Sequence, residues 1–266
     1  MRQSRVKDDA MIKSDLASHK VDWEDLAELD PLWSILTCPE TQHNRWDKDE
    51  FFRTGEEEIQ SLMENADHLG FPLSKGQALD FGCGVGRLTR ALAKRFQRCC
   101  GVDISERMVA MARELNASFP NCEFLSNDRP DLSTFPSDSF DLVYTARVLQ
   151  HLPGRSRVER LIRELFRVVR PEGLLVFQLP SYIDLRRRLQ PRRRLYQILK
   201  RLGGNKATLY KKMGLFPMRM NFIREKDVIS LLNGVGAKVL KAEADSLAGP
   251  LIESRTYYAT KPARSV

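Results

Sequence analysis

The chain has 266 residues, 42% of them hydrophobic and 29% charged, with a formal net charge of +8. That composition excludes a disordered or fibrous chain, and no apolar run approaches the roughly 18 residues of a membrane span. The length predicts one core domain plus an extension or insertion.

The charge is concentrated. Residues 184–219 hold twelve Lys or Arg against one Asp, a local net of +11, and taking this from +8 leaves −3 for the remainder. The basicity therefore belongs to one segment and not to the body of the protein. The cysteines (Cys38, Cys83, Cys99, Cys100, Cys122) form no C-x-x-C pair, and the histidines (His19, His43, His68, His151) have no ligand spacing. Reduced thiols and no metal are expected. The polar first twenty residues lack the apolar stretch of a signal peptide, so a cytoplasmic location is expected.

In chain order, residues 1–20 have weak periodicity and are expected to be disordered. Residues 21–70 read as an N-terminal helical cap. It contains Trp23, Trp33 and Trp46, and a helix over 56–69 with Ile59, Leu62, Met63 and Ala66 on one face. The cap is expected to pack on the sheet edge, and part of it covering the active site is a compatible alternative. Residues 71–180 form the core. Strands over 77–81, 98–103, 122–126, 140–145 and 174–179 alternate with helices over 87–96, 105–118 and 155–169. Such alternation means βαβ units and a mostly parallel, doubly wound α/β sheet, with its strand-to-helix loops on one rim. Residues 181–222 form a basic helical insert of two short helices, divided by Pro191 and ended by Gly203-Gly204. Residues 223–266 return to the core with a helix over 224–233 and strands over 237–244 and 257–260.

The chain is organised around residues 78–86, Ala-Leu-Asp-Phe-Gly-Cys-Gly-Val-Gly. A strand, a glycine turn and a helix bring backbone close to a nucleotide-like ligand. A dinucleotide fingerprint would place its third glycine at position 87, where this chain has Arg87. Asp80 would repel a pyrophosphate but accept from an ammonium group. The expected ligand is a cationic nucleoside.

Asp80-Phe-Gly-Cys-Gly-Val-Gly86 with Gly101-Val-Asp-Ile-Ser105 resembles the signature of class I S-adenosylmethionine-dependent methyltransferases of the type 11/25-like kind. Phe140-Asp-Leu-Val-Tyr144, Leu149-Gln-His-Leu-Pro153 and Val168-Val-Arg-Pro-Glu-Gly173 continue it in order. The resemblance implies S-adenosyl-L-methionine as cofactor. It also implies a Rossmann-like seven-stranded sheet of order 3-2-1-4-5-7-6, the last strand antiparallel. On it, Asp103 accepts from the ribose hydroxyls, Ile104 and Met108 pack on the adenine, and Asn127 and Asp128 lie at the adenine amino group. Thr145 lines the methionine moiety, and the backbone of Gly82 and Gly84 runs beneath the ligand, with Asp80, Cys83 and Gly86 completing the set. His151 is the candidate general base, with orientation of its loop as the structural alternative.

Tyr144-Thr-Ala-Arg147 stands where enzymes that methylate nucleobase amines carry Asn/Asp-Pro-Pro-Tyr/Phe. The expectation is therefore methyl transfer to an O or N of a small-molecule or glycan-type acceptor. RNA methylation through the basic insert is the alternative, and an NAD(P)-dependent oxidoreductase or a non-catalytic cofactor-binding module are those of another class. For residues 186–212 the expected arrangement is an amphipathic helical pair with its leucines packed on the domain and its arginines solvated. RNA contact and peripheral contact with anionic lipid headgroups are the other two. The sequence does not specify an oligomeric state.

Overall fold

Strands β1 (Gln77–Phe81), β2 (Arg98–Asp103), β3 (Cys122–Ser126), β4 (Phe140–Thr145), β5 (Val169–Ile183), β6 (Lys238–Asp245) and β7 (Ile252–Thr260) form one sheet. Its order is β3-β2-β1-β4-β5-β7-β6. The computed structural model describes residues 2–249 and 251–263. β7 runs antiparallel to β5 and β6, and the other neighbours pair parallel. This is the doubly wound Rossmann-like arrangement expected. β5 and β7 are longer than expected because they pair with each other past Pro180, through a bulge to Ile183 and Ile252.

All six residues of β4 are buried, as its near-continuous apolar run requires of a strand covered on both faces. On one face, Ala78, Leu142 and Val176 pack against Ile59, Leu62 and Met63 of α3 (Lys48–His68). Leu88 and Leu92 of α4 (Arg87–Ala93) join them. On the other face, Leu79, Val143 and Phe177 pack against Leu161 and Leu165 of α6 (Arg155–Val168). Val228 and Leu232 of α10 (Glu225–Gly234) complete that layer. α5 (Glu106–Leu115) sets Val109 and Ala112 against Phe124 of β3.

The N-terminus departs from expectation. Helix α1 (Arg2–Leu29) occupies the segment read as disordered, followed by α2 (Pro31–Ile35). The carboxyl-terminal half of α1 is held by partners distant in sequence. Asp22 accepts from Gln197, and Asp25 from Tyr196, Lys200 and Lys206. The insert forms three helices, not two: α7 (Leu185–Arg188), α8 (Pro191–Arg201) and α9 (Lys206–Met213). The third starts where the Asn205 side chain accepts from the Thr208 amide, 3.1 Å away.

One buried carboxylate joins the cap to the core. Glu58 of α3 accepts from Arg87 Nη2 at 2.8 Å, from Tyr144 Oη at 2.8 Å and from Arg147 Nη1 at 2.9 Å. Burial alone would raise its pKa, but the Arg87 and Arg147 guanidiniums, with hydrogen bonds from Arg87 and Tyr144, hold it down at about 2. One turn earlier, Gly55 lets α3 and α4 close up, because a Cβ there would lie 2.6 Å from the Arg87 carbonyl oxygen. Glu58→Ala strands the Arg87 guanidinium, 2% exposed, without a counter-charge. The expected loss of unfolding free energy is about 3–5 kcal/mol. Urea denaturation measures it, and a loss below about 1 kcal/mol would mean that the arginines find other partners.

Candidate functional site

At the carboxyl ends of the parallel strands, the loops after β1, β2, β3 and β4 surround an open cleft of about 1090 Å³, counting its solvent-filled mouth. Phe81, Gly82 and Gly84 line it from β1, Asp103 and Ile104 from β2, and Met108 from α5. Asn127 lines it from the loop after β3, and Ala146, Arg147 and Val148 from the loop after β4. The glycine loop is tied to β2. The Gly82 and Cys83 amides donate to the Val102 carbonyl, and the Gly84 amide donates to Asp103 Oδ2 at 2.9 Å. Gly84 has φ +52°, and a Cβ there would fall 2.5 Å from Ile35 Cδ1. Glycine at 84 thus permits both the turn and the seating of α2 on it.

Asp103 is the charged residue at the centre of this loop system. Its Oδ1 accepts from the Ser105 amide at 2.9 Å, and its main-chain carbonyl from the Asn127 amide. Burial raises its pKa, and the amides of Ser105, Gly84 and Ile104 oppose that rise. Each carboxylate oxygen keeps lone-pair capacity beyond its one amide bond, as a vicinal diol requires. The residues thus suit a nucleoside: a diol acceptor at Asp103, backbone at the glycines, and the apolar Ile104 and Met108 beside them.

Of the residues singled out in the sequence, Gly82, Gly84, Asp103, Ile104, Met108 and Asn127 line the cleft, whereas Asp80, Cys83, Gly86, Asp128, Thr145 and His151 do not. Asp80 is buried on the α4 face of β1, where Oδ2 accepts from the Thr89 hydroxyl at 2.7 Å and Oδ1 has no partner. Burial raises its pKa to about 7. Asp128 points outward to Lys20 at 3.3 Å. Thr145 is buried with its hydroxyl unpartnered, and Cys83 packs beside Phe124. Gly86 caps α4 at φ +84°.

His151 is buried with both ring nitrogens engaged. Nδ1 donates to the Arg219 carbonyl at 2.5 Å, and Nε2 accepts from Gln150 at 3.3 Å. Burial lowers its pKa to about 4. Trp23 meets the ring edge-on at a centroid distance of 5.4 Å.

The wall facing the glycines comes largely from residues that the sequence did not single out. Leu16, His19 and Trp23 of α1 line it, with Arg157, Arg160 and Leu161 of α6. His19 is held neutral, its pKa lowered to about 3 by burial and by His151, Arg219, Arg157 and Arg193. The helical spacing of residues 16, 19 and 23 was the available signal. Arg147 is fixed at both ends. Its backbone sits at φ +62° with its amide donating to Gln178 Oε1, and its guanidinium is held by Glu58. Left-handed backbone at a non-glycine residue persists only where the surroundings enforce it.

Residues 79–177 match the methyltransferase domain family. A trans-aconitate 2-methyltransferase of Deinococcus radiodurans is 38% identical over 110 residues, 41% of this chain and 39% of that relative. A ubiquinone biosynthesis O-methyltransferase of Pseudomonas fluorescens is 31% identical over 137 residues, 51% of this chain and 57% of that relative. The match therefore spans less than two thirds of each relative. Among solved structures, the magnesium protoporphyrin IX methyltransferase of Synechocystis PCC 6803 with bound S-adenosylhomocysteine superposes with a TM-score of 0.59. It is 22% identical, over 93% of this chain and 99% of that one. A [4+2]-cyclase shares the fold at a TM-score of 0.53 and 17% identity, over 77% of this chain and 83% of that one.

The buried histidines set an acid limit on the fold. His151 has a folded pKa of about 4 against the ordinary 6.5, so below pH 6.5 the unfolded chain takes up the proton first. The stability is intact above 6.5 and is lost as pH falls toward 4, by about 3 kcal/mol for this ring. His151→Asn can keep a donor near Nδ1 but does not titrate. Its unfolding free energy is expected to fall less steeply between pH 6.5 and 4, read by urea denaturation at each pH, and parallel curves would contradict this assignment.

Proposed function

We propose that the chain, whose residues 79–177 match the methyltransferase domain family, binds S-adenosylmethionine in the cleft and transfers its methyl group to an O or N of a small-molecule acceptor. The observation that carries this reading is Asp103, a cleft-lining carboxylate that is bonded to the glycine loop and keeps free lone pairs for a ribose. Arg87 at the position of a dinucleotide's third glycine argues in the same direction, since its guanidinium is committed to Glu58.

Bound S-adenosylmethionine supplies a methyl carbon already activated on a sulfonium, so the protein's part is alignment in a dry pocket. Ile104 and Met108 supply apolar contact for the base. Ile35, seated on Gly84, and Trp23 exclude water from the glycine side and from the facing wall. Of the two buried histidines near the cleft only His19 lines it, and burial with the neighbouring arginines, which lower its pKa to about 3, makes its ring a weak proton acceptor, so it serves as a neutral wall of the site. His151, with both nitrogens engaged, serves as a positioning residue behind Trp23. Arg129 and Arg160 on the cleft wall favour an acceptor that carries a carboxylate or phosphate, whether a small metabolite or a charged glycan.

Calorimetry with S-adenosylhomocysteine and with NADH tests the reading. S-adenosylhomocysteine is expected to bind and NADH not, and the reverse result would overturn it. Asp103→Asn keeps an acceptor for one of the two loop amides and loses the charge. It is expected to weaken S-adenosylhomocysteine binding by about 1–3 kcal/mol. Unchanged affinity would place the ribose elsewhere.

A further inference from the structure

The insert's basic residues divide into two populations on opposite faces of α8. The inner face is neutralised: Arg193 meets Asp22, Lys200 meets Asp25, and Tyr196 is buried against Leu209 and Leu215. In α9, Lys206 reaches Asp25 and Glu28. The outer face is of another kind. Leu195, Ile198 and Leu202 recur at i, i+3 and i+7, a single stripe on a helix, on the side away from Arg193, Tyr196 and Lys200. They are 43%, 54% and 79% exposed. Arg194 and Arg201 flank the stripe on one side and Arg192 on the other. Among the described residues none of these three pairs with a carboxylate, nor do Arg186 and Arg187 of α7. Leu185 and Leu189, at the ends of α7, are 67% and 53% exposed.

Solvated arginines over packed leucines, the arrangement expected from the sequence, require these leucines to be buried, and they are not. Contact with single-stranded RNA requires free exposed rings on which bases stack, whereas Tyr196 and Tyr210 are fully buried and the exposed Tyr182, in β5, is engaged by Phe222 and the Arg188 guanidinium. An apolar stripe flanked by arginines matches a bilayer surface, where aliphatic side chains enter the acyl boundary and guanidiniums meet lipid phosphates. Among the described residues no helix is long and apolar enough to cross a membrane, so the contact would be interfacial.

We propose that the outer face of α8, extended by α7, docks the protein on an anionic phospholipid surface through Leu195, Ile198 and Leu202 and the arginines beside them. This inference is independent of the chemistry in the cleft.

Sedimentation of the full chain with vesicles tests it, in roughly 0.1 M salt, where screening acts over about 10 Å. The protein is expected to sediment with phosphatidylglycerol/phosphatidylcholine vesicles and to stay in solution with phosphatidylcholine alone. The triple substitution Leu195→Asp, Ile198→Asp, Leu202→Asp should weaken partitioning by about tenfold or more, with unchanged thermal unfolding. Replacing Arg192, Arg194 and Arg201 by Gln should weaken it by about fivefold per charge. Should the aspartate variant fail to fold, Ile198→Trp is the second readout: its emission is expected to shift to the blue on anionic vesicles. Several results would overturn the proposal: no vesicle binding, undiminished binding by the folded aspartate variant, or no emission shift. RNA binding without vesicle binding would also overturn it, as would a leucine-dependent dimer in sedimentation velocity that does not bind vesicles.

Discussion

Glu58 is the constraint on which the rest of the structure turns. A carboxylate with so little solvent is stable only if its charge is matched, and two guanidiniums and a phenol match it. The partners come from three places: Arg87 opens the helix after the glycine loop, Tyr144 lies near the end of β4, and Arg147 stands at the cleft. The acceptor is on α3, outside the matched methyltransferase domain. One side chain of the cap thus fixes the entry of α4 and a residue of the cleft wall together. The left-handed backbone of Arg147 fits this account, since Glu58 and Gln178 hold its two ends and leave it little freedom to relax.

Asp103 applies the same economy on the glycine side. Its two oxygens hold the amides of Gly84 and Ser105, so the loops after β1 and β2 form one rigid unit before any ligand arrives. A binding residue that also closes the loop geometry is preorganised, and less ordering remains to be done when ligand binds. It also means that substitution there disturbs the loop itself, and asparagine, which keeps one of the two acceptors, disturbs it less than alanine.

The core was legible because its signals are local. Strand-helix alternation, alternate glycines and the acid at the end of β2 each follow from short-range chemistry. The sheet order came from the resemblance. The cap was legible only in part. The inward residues of α1 include His19, Asp22, Trp23 and Asp25, a face made of charge and aromatic rings, so apolar periodicity understates it. Glu58 lies on an amphipathic helix, where a glutamate reads as solvated, and nothing within α3 announces two arginines 29 and 89 residues away. Asp80 and Thr145 illustrate a different limit. A strand alternates its faces, and one residue of register decides between the cleft, where Phe81 and Ala146 lie, and the packed layer behind it.

The basic segment illustrates how a charge count becomes informative only after it is divided. The net of +11 over residues 184–219 is compatible with a solvated face, a nucleic-acid contact or a lipid contact. The division is made by α1. Its Asp22 and Asp25 neutralise the inner face of α8, while His19 and Trp23, around the same turns of helix, line the cleft. Having taken part of the charge inward, α1 leaves on the outside the arginines that pair with no carboxylate among the described residues, and between them the leucines that have no core. Those two facts constrain one another. Arginines alone would be explained by solvent and leucines alone by a neighbouring protein, but a stripe of one between rows of the other on a single helix face calls for a partner that is apolar and anionic at the same depth.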